Sequence, residues 1–366
     1  MYERPEIHAM AGYVPGEQPK RNGTVKLNTN ENPYRASEKA YDAIREICDS
    51  RNNASGLSRY PNPPAQPFRE AAAEIYGVEP ETVLCGNGSD DILTILTRTF
   101  VGSGELIRLP RPSYILYASL AEIQGARYEE ILFDENWRLP PAFAEAKDGL
   151  KLVFLPNPNS PSGTVLSKGT ILEIAERLPC PLIVDEAYAD FSEFHCIDLV
   201  SQRENIIVTR TLSKAYALAG LRFGYLFAPP NLVEQMLKVK DSYNCDALSI
   251  AAATAAICDT EWQQENRRTI LATRKRLTEG MRTLGFAVPD SQANFIWCVH
   301  PSLKTASHKP IYEYLKQNGY LVRYMNYGVS GDGLRISVGT DEQIDECLAL
   351  IRQFVSTEIS SGTSLT

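Results

Sequence analysis

Between residues 82 and 211 the chain alternates short apolar runs with longer amphipathic stretches. "TVLCG" (82–86) precedes "SDDILTILTRTF", whose apolar residues at 92, 93, 95, 96 and 100 share one helical face. "LIRLP" leads into a helical pattern over 113–124. Next come "LKLVFLPN" (150–157), a helix over 168–178, "PLIVDEAY" (181–188) and "ENIIVTRT" (204–211). Runs this short and this rich in Val, Ile and Leu predict strands buried on both faces, in a mostly parallel sheet covered by helices. Ligands of such an α/β sheet bind outside the carboxyl ends of its strands.

After a long helical stretch over 261–284 the pattern changes. "FAVPDSQANFIWCV", a helix over 308–318, "YLVRYM", "GLRISVG" and a helix over 340–355 read β-α-β-β-α, an α+β unit with an antiparallel sheet. Residues 1–50 are irregular, with one helix over 37–49, and are expected to form an arm and part of this smaller domain. The large domain is expected over 51–275 and the small one over 276–356. The polar tail, 357–366, is expected to be disordered. No internal repeat is present.

Composition narrows the classes. A chain of 366 residues, 43% hydrophobic, can bury more than one core. The net charge of −8 lacks the basic face of a nucleic-acid protein. No apolar run is long enough to span a bilayer, and the N-terminus lacks a signal-peptide pattern, so a soluble cytoplasmic protein is expected. The eight cysteines form no C-x-x-C pair and read as reduced thiols, several buried in strands. The four histidines have no ligand spacing, and no metal is expected.

Four segments place polar residues at strand ends. "GNGSDD" (86–91) joins a strand to a helix; its glycines and Ser89 suit an anion, and equally a helix cap. It matches neither a dinucleotide nor a Walker pattern. Asp185 ends an apolar strand, where a carboxylate needs a partner, a capping role or a function. "PNPNSPSGT" (156–164) reads as a tight connection. Lys214, in "TLSKAYALAGLRFGY", is a surface lysine by default; desolvation beside Arg222 would instead make its amine usable near neutral pH. Together an anion cradle, an acid and a desolvated amine match the needs of pyridoxal phosphate (PLP).

"SKAYALAGLRFGY" resembles the cofactor-lysine motif of the fold-type-I PLP aminotransferases. "NENPY", "RYPNPPAQPFREAAAEIYG", "NPNSPSG", "VDEAY" and "LRISVGT" match that family in order, over nearly the whole chain. Within the family the sequence is most similar to the histidinol-phosphate branch. The resemblance implies a large PLP-binding domain and a smaller α+β domain, transamination with 2-oxoglutarate, and a homodimer with shared sites. Aromatic amino acid transamination and threonine-phosphate decarboxylation use the same scaffold and stay open, as does a binding protein that keeps the fold without catalysis; the intact Lys214 and Asp185 oppose the last.

It also implies residue roles. Lys214 would carry the cofactor and shuttle the proton, Asp185 would pair with the pyridine nitrogen, and Tyr188 would bind the phenolic oxygen. Tyr114 would stack on the ring. Gly88, Ser89, Asp90, Thr211, Ser213 and Arg222 would hold the phosphate, joined by Tyr60 from the neighbouring subunit. Tyr13, Asn32, Tyr243, Arg323 and Arg335 would line the substrate pocket, the two arginines taking carboxylate or phosphate. The family loop commonly reads N-P-N-N-P-T-G; here Ser160 stands at the asparagine that serves the phenolic oxygen, and Asn159 is expected to act in its place.

Overall fold

The computed structural model describes residues 2–12, 16–19, 23–49, 57–303 and 307–360. Its strands are β1 (Val25–Leu27), β2 (Val83–Gly86), β3 (Leu106–Arg111), β4 (Arg127–Leu132), β5 (Leu150–Pro156), β6 (Leu182–Asp185), β7 (Ile206–Thr211), β8 (Gly224–Phe227), β9 (Phe295–Cys298), β10 (Tyr320–Asn326) and β11 (Asp332–Ser337). The helices are α1 (Pro5–Ala9), α2 (Glu38–Cys48), α3 (Gln66–Tyr76), α4 (Ser89–Phe100), α5 (Leu116–Gln124), α6 (Lys168–Arg177), α7 (Pro230–Leu237), α8 (Ala247–Ile257), α9 (Thr260–Thr283), α10 (Lys309–Gln317) and α11 (Asp341–Ser360).

The larger sheet has the order β2-β8-β7-β6-β5-β3-β4, parallel except for β8. Its apolar runs are continuous because alternate side chains enter two different cores. Leu182 and Val184 of β6 join one core, with α3, α6 and α8, while Ile183 joins the other, with α4 and α5. Fully burying each such side chain contributes roughly 1.5–3 kcal/mol, so one polar substitution in β6 would unsettle either layer. Strand β4 escapes the apolar-run reading because it is an edge strand carrying mostly exposed and half-buried residues. Strand β8 escapes it too, because it is only four residues long and its first two, Gly224 and Tyr225, close the lysine motif.

The smaller sheet has the order β1-β10-β11-β9, antiparallel apart from β1 on β10. It packs a separate core against α9, α10 and α11 through Leu277, Ile311, Leu315, Ile344 and Ile351. The N-terminal fifty residues divide between the two units. β1 extends the small sheet, whereas α2 packs on α8 and sends Ala40 into the large core, the small alanine faces allowing close approach.

Helix α9 runs unbroken past residue 275, with Ile270 in the large core and Leu277 and Met281 in the small one. The tail needs correction: α11 continues to Ser360, four residues into the segment expected to be disordered, since no Gly or Pro interrupts it before Gly362. Among the described residues no helix is long and apolar enough to cross a membrane, and no cluster of three or more His, Cys, Asp or Glu could hold a metal. All eight cysteines are free thiols.

Candidate active site

Three parallel strands deliver their last residues to one edge: Gly86 from β2, Asp185 from β6 and Thr211 from β7. The antiparallel β8 begins there, with Gly224 in register opposite both Gly86 and Thr211. A Cβ on Gly224 would stand 2.5 Å from the Gly88 carbonyl carbon and the Ser89 nitrogen, so only glycine lets the start of α4 lie against β8. Gly88 is the α4 N-cap at φ +83°, and no side chain caps the helix. The positive helix end is therefore left to an outside acceptor. Around it stand Ser89, the Thr211–Ser213 hydroxyl pair (3.0 Å) and the half-exposed guanidinium of Arg222. The Asp90 carboxylate is turned to Arg222 (3.4 Å) and accepts from Tyr114 (3.2 Å), leaving its main chain for an anion.

Asp185 is 5% exposed. The Tyr117 hydroxyl donates to its Oδ2 (2.6 Å), while Thr209 Oγ1 (3.1 Å) and the Ala187 amide (3.2 Å) donate to Oδ1. Burial raises the proton affinity of this carboxyl above the usual range, and those hydrogen bonds restrain the rise. A buried carboxylate so placed is suited to a cationic ring N–H. The residues adjacent to these strand ends point away from the cavity: Glu186 accepts from Arg210 Nη1 at 2.8 Å, and Asp190 accepts from Nη2. This ion cluster, with Arg210 2% exposed, ties the carboxyl ends of β6 and β7 together behind the site.

Lys214 follows β7 by three residues. Its Nζ donates to the Thr29 carbonyl (3.2 Å) and lies 5.9 Å from the centre of the Tyr188 ring. Burial, then the nearby Arg335 and Arg222, pulls the amine down to about 8, against Glu31 and Asp90, which hold it up. At pH 7 roughly a tenth of such an amine is neutral, far more than for a solvated lysine. Tyr188 accepts a hydrogen bond from Asn30 Nδ2 (2.9 Å), and burial keeps its phenol protonated.

The opposite wall comes from the small sheet. Arg323 on β10 and Arg335 on β11 are direct cross-strand partners. Like charges so opposed destabilise a sheet unless an anion lies between them. Arg335 donates to Ser160 Oγ and to the Asn28 carbonyl, both at 2.9 Å, and its guanidinium lies 5.3 Å above the Phe295 ring. Arg323 forms no hydrogen bond or ion pair with its side chain among the described residues.

One cavity of about 300 Å³ thus brings together Ser89, Asp90, Tyr114, Asp185, Tyr188, Thr211, Ser213, Lys214, Arg222, Arg323 and Arg335, with Gly88 beside it. Asn159 is not among its walls: its amide donates to the Pro112 carbonyl (3.2 Å) and Ser162 Oγ (2.9 Å), and Ser160 lines the cavity instead. Asn32 lies behind the cavity, donating to the main-chain carbonyls of Lys214 (3.1 Å) and Ala215 (3.4 Å). Tyr60 and Tyr243 are outside it, stacked on each other with ring centres 4.4 Å apart. Tyr13 lies outside the described residues. Sequence reasoning gave no role to Asn30, Tyr117 or Thr209, which act on other site residues; the signals that could have marked them were the place of Asn30 at the head of "NENPY" and that of Tyr117 on the apolar face of the helix after "RPSY".

A desolvated lysine, a buried carboxylate and an anion cradle at the carboxyl edge of an α/β sheet define an enzyme built to work on amines through a phosphorylated carbonyl cofactor. The chain belongs to the class I and II aminotransferase family, whose model matches residues 22–351. It is 55% identical over 354 residues to a histidinol-phosphate aminotransferase of Rhodopirellula baltica, covering 96% of both chains. It is 43% identical over 343 residues to histidinol-phosphate aminotransferase 1 of Trichormus variabilis, covering 93% of this chain and 95% of that one. The fold is shared with the histidinol-phosphate aminotransferase of Sinorhizobium meliloti, solved in complex with pyridoxal-5'-phosphate, at TM-score 0.87 and 23% identity over 97% of this chain and 98% of that one.

Proposed function

We propose that this protein transfers the amino group of histidinol phosphate to 2-oxoglutarate, giving imidazole-acetol phosphate and glutamate, with pyridoxal 5'-phosphate as cofactor in a step of histidine biosynthesis. The residues fit that cofactor group by group: the uncapped α4 end with Ser89, Thr211, Ser213 and Arg222 for phosphate, Asp185 for the ring nitrogen, Tyr188 for the ring oxygen and Lys214 for the aldehyde. When bound, the cofactor supplies an electron sink for the bonds to the substrate α-carbon.

The chain's own groups do the rest. Lys214, with its lowered basicity, would hold the cofactor's aldehyde carbon and, once the substrate amine has displaced it, would take and return the substrate proton at Nζ. Asp185, oriented by Tyr117 and Thr209, would keep a proton on the ring nitrogen. Tyr114, on the cavity wall, is the side chain to stack on the ring.

The observation that carries the substrate assignment is the Arg323–Arg335 pair, two opposed cations on one wall of the Lys214 cavity. Two guanidiniums there suit a substrate phosphate in one half-reaction and the carboxylate of glutamate in the other. The test compares kcat/KM for histidinol phosphate, phenylalanine and tyrosine with 2-oxoglutarate as acceptor. Histidinol phosphate is expected to win by a factor of about 100 or more, because a phosphate dianion engages both guanidiniums where the single α-carboxylate of an aromatic amino acid leaves one of them unpaired. Comparable values for either amino acid would defeat the assignment.

The working unit in this reading is a homodimer. Tyr60 is 80% exposed, stacked on Tyr243 and outside its own cavity, as suits a residue that completes a partner's phosphate site.

A further inference from the structure

We propose that Asn30 is a positioning residue that makes Tyr188 a hydrogen-bond donor toward the cavity. Asn30 is 1% exposed and sits at φ +55°, in the left-handed region that asparagine tolerates better than most side chains. Every polar group it has is engaged. Its main-chain N–H donates to Ser337 Oγ (2.9 Å), its main-chain oxygen accepts from Asn294 Nδ2 (3.0 Å), and its Oδ1 accepts from Ser337 Oγ (3.0 Å). The remaining amide nitrogen, Nδ2, donates to Tyr188 Oη at 2.9 Å.

This arrangement dictates where the protons go. Ser337 is buried and has a single hydroxyl proton, which Oδ1 accepts. Reversing the Asn30 amide would strand that proton without an acceptor. An amide nitrogen can only donate, so the Tyr188 oxygen must accept from Asn30 and keep its own proton for something else. Tyr188 lines the cavity, and its hydroxyl makes no other hydrogen bond to the described residues. The Ser160 hydroxyl on the same cavity is polarised alike, since it accepts from Arg335 and donates to no described atom. Ser337 lies two residues beyond Arg335 on β11, so the strand that carries the substrate arginine also sets the polarity of Tyr188.

The inference rests on the proposed placement of Tyr188 against the cofactor's ring oxygen, which it deepens. A donor to that oxygen would draw electron density from it and stabilise its anionic form, and so lower the pH midpoint of the bound cofactor's visible band. Arg335 and Arg222 as cations, with Asp185, Asp90 and Glu31 around them, set the same field and are left intact by the test.

The experiment titrates the visible absorbance of the cofactor-loaded protein in four forms: unaltered, Tyr188→Phe, Asn30→Asp and the double variant. In Asn30→Asp the new carboxylate accepts where the native amide donates, turning the Tyr188 proton away from the cavity. Tyr188→Phe is expected to raise the midpoint by about one pH unit. Asn30→Asp should raise it by a similar amount when Tyr188 is present, but by less than about a third of that when combined with Tyr188→Phe. An equal Asn30→Asp shift in both backgrounds means added charge alone and overturns the Asn30 inference. No shift in Tyr188→Phe overturns the placement of Tyr188 itself. If Asn30→Asp does not fold, Ser337→Ala replaces it: it releases the amide and should raise the midpoint only when Tyr188 is present, while an unchanged midpoint refutes the lock.

Discussion

The Tyr117 hydroxyl donates to Asp185 Oδ2 at 2.6 Å, and its ring stacks on Phe154 with centres 4.6 Å apart and planes within 5°. Packing thus clamps the donor of the acid's shortest hydrogen bond. Tyr117→Phe should keep the stacking and remove the bond. A buried charged acceptor losing a donor costs roughly 1.5–3 kcal/mol, so the variant should melt lower and release cofactor more readily. Thermal denaturation and cofactor titration check this; wild-type cofactor affinity would show that Asp185 is held without Tyr117.

Lys214 carries a stability cost that depends on pH. Its folded value, about 8, lies below its unfolded one, so between pH 8 and the ordinary lysine range the unfolded chain holds more protons. Stability of the cofactor-free protein therefore rises with pH through that window, and the penalty is in full force below it. Lys214→Met should stabilise the cofactor-free protein at pH 7 by on the order of 1–3 kcal/mol, with the gain fading toward about pH 10. Denaturant titrations at both pH values decide it, and a gain independent of pH would contradict it.

Arg323 and Arg335 repel across β10 and β11 until an anion joins them. Inorganic phosphate should raise the melting temperature of the unaltered protein more than that of Arg323→Ala. The same variant should lose about tenfold to a hundredfold in the histidinol-phosphate half-reaction, with the glutamate half-reaction changed only a few-fold. Single-turnover measurements of each half-reaction separate the two; equal losses would reassign Arg323.

Gly224→Ala puts a methyl group 2.5 Å from the Gly88–Ser89 backbone. The start of α4 must move, at a cost of about 1–3 kcal/mol typical of overpacking, and the proposed phosphate cradle moves with it. A weakened affinity for cofactor in equilibrium titration is the expected outcome, stronger than for Gly220→Ala, where nothing lies within 4 Å.

Tyr60 tests the dimer. Although it is outside its own cavity, Tyr60→Phe should weaken cofactor binding about tenfold, the loss of one hydrogen bond to a charged phosphate. Sedimentation should find the unaltered protein dimeric. A monomer, or a Tyr60→Phe variant with unchanged affinity, would remove Tyr60 from the site.

Much of the site was legible in the chain because its residues sit at punctuation points. Asp185 and Thr211 are where apolar runs stop, Gly88 and Ser89 where a strand turns into a helix, and Arg323 and Arg335 where short strands carry a charge among Val, Leu and Ile. Residues that act through others have no such marker. Asn30 opens the motif "NENPY" but stands at no strand or helix end, and Tyr117 reads as one more apolar position on α5. Asn159 does not line the cavity, because its amide nitrogen is spent on Pro112 and Ser162.

By itself the sequence determined the succession of most buried strands and of the helices between them, the α/β and α+β character and the family, since periodicity and local motifs are read over a few residues. Tertiary structure decided which side chains meet. The pairing of Arg323 with Arg335, the Ser337–Asn30–Tyr188 chain and the Tyr117–Asp185 bond join residues 12 to 307 positions apart. Such contacts depend on strand register and on how two sheets pack, and no local pattern of hydrophobic and polar positions encodes which proton a buried hydroxyl must donate.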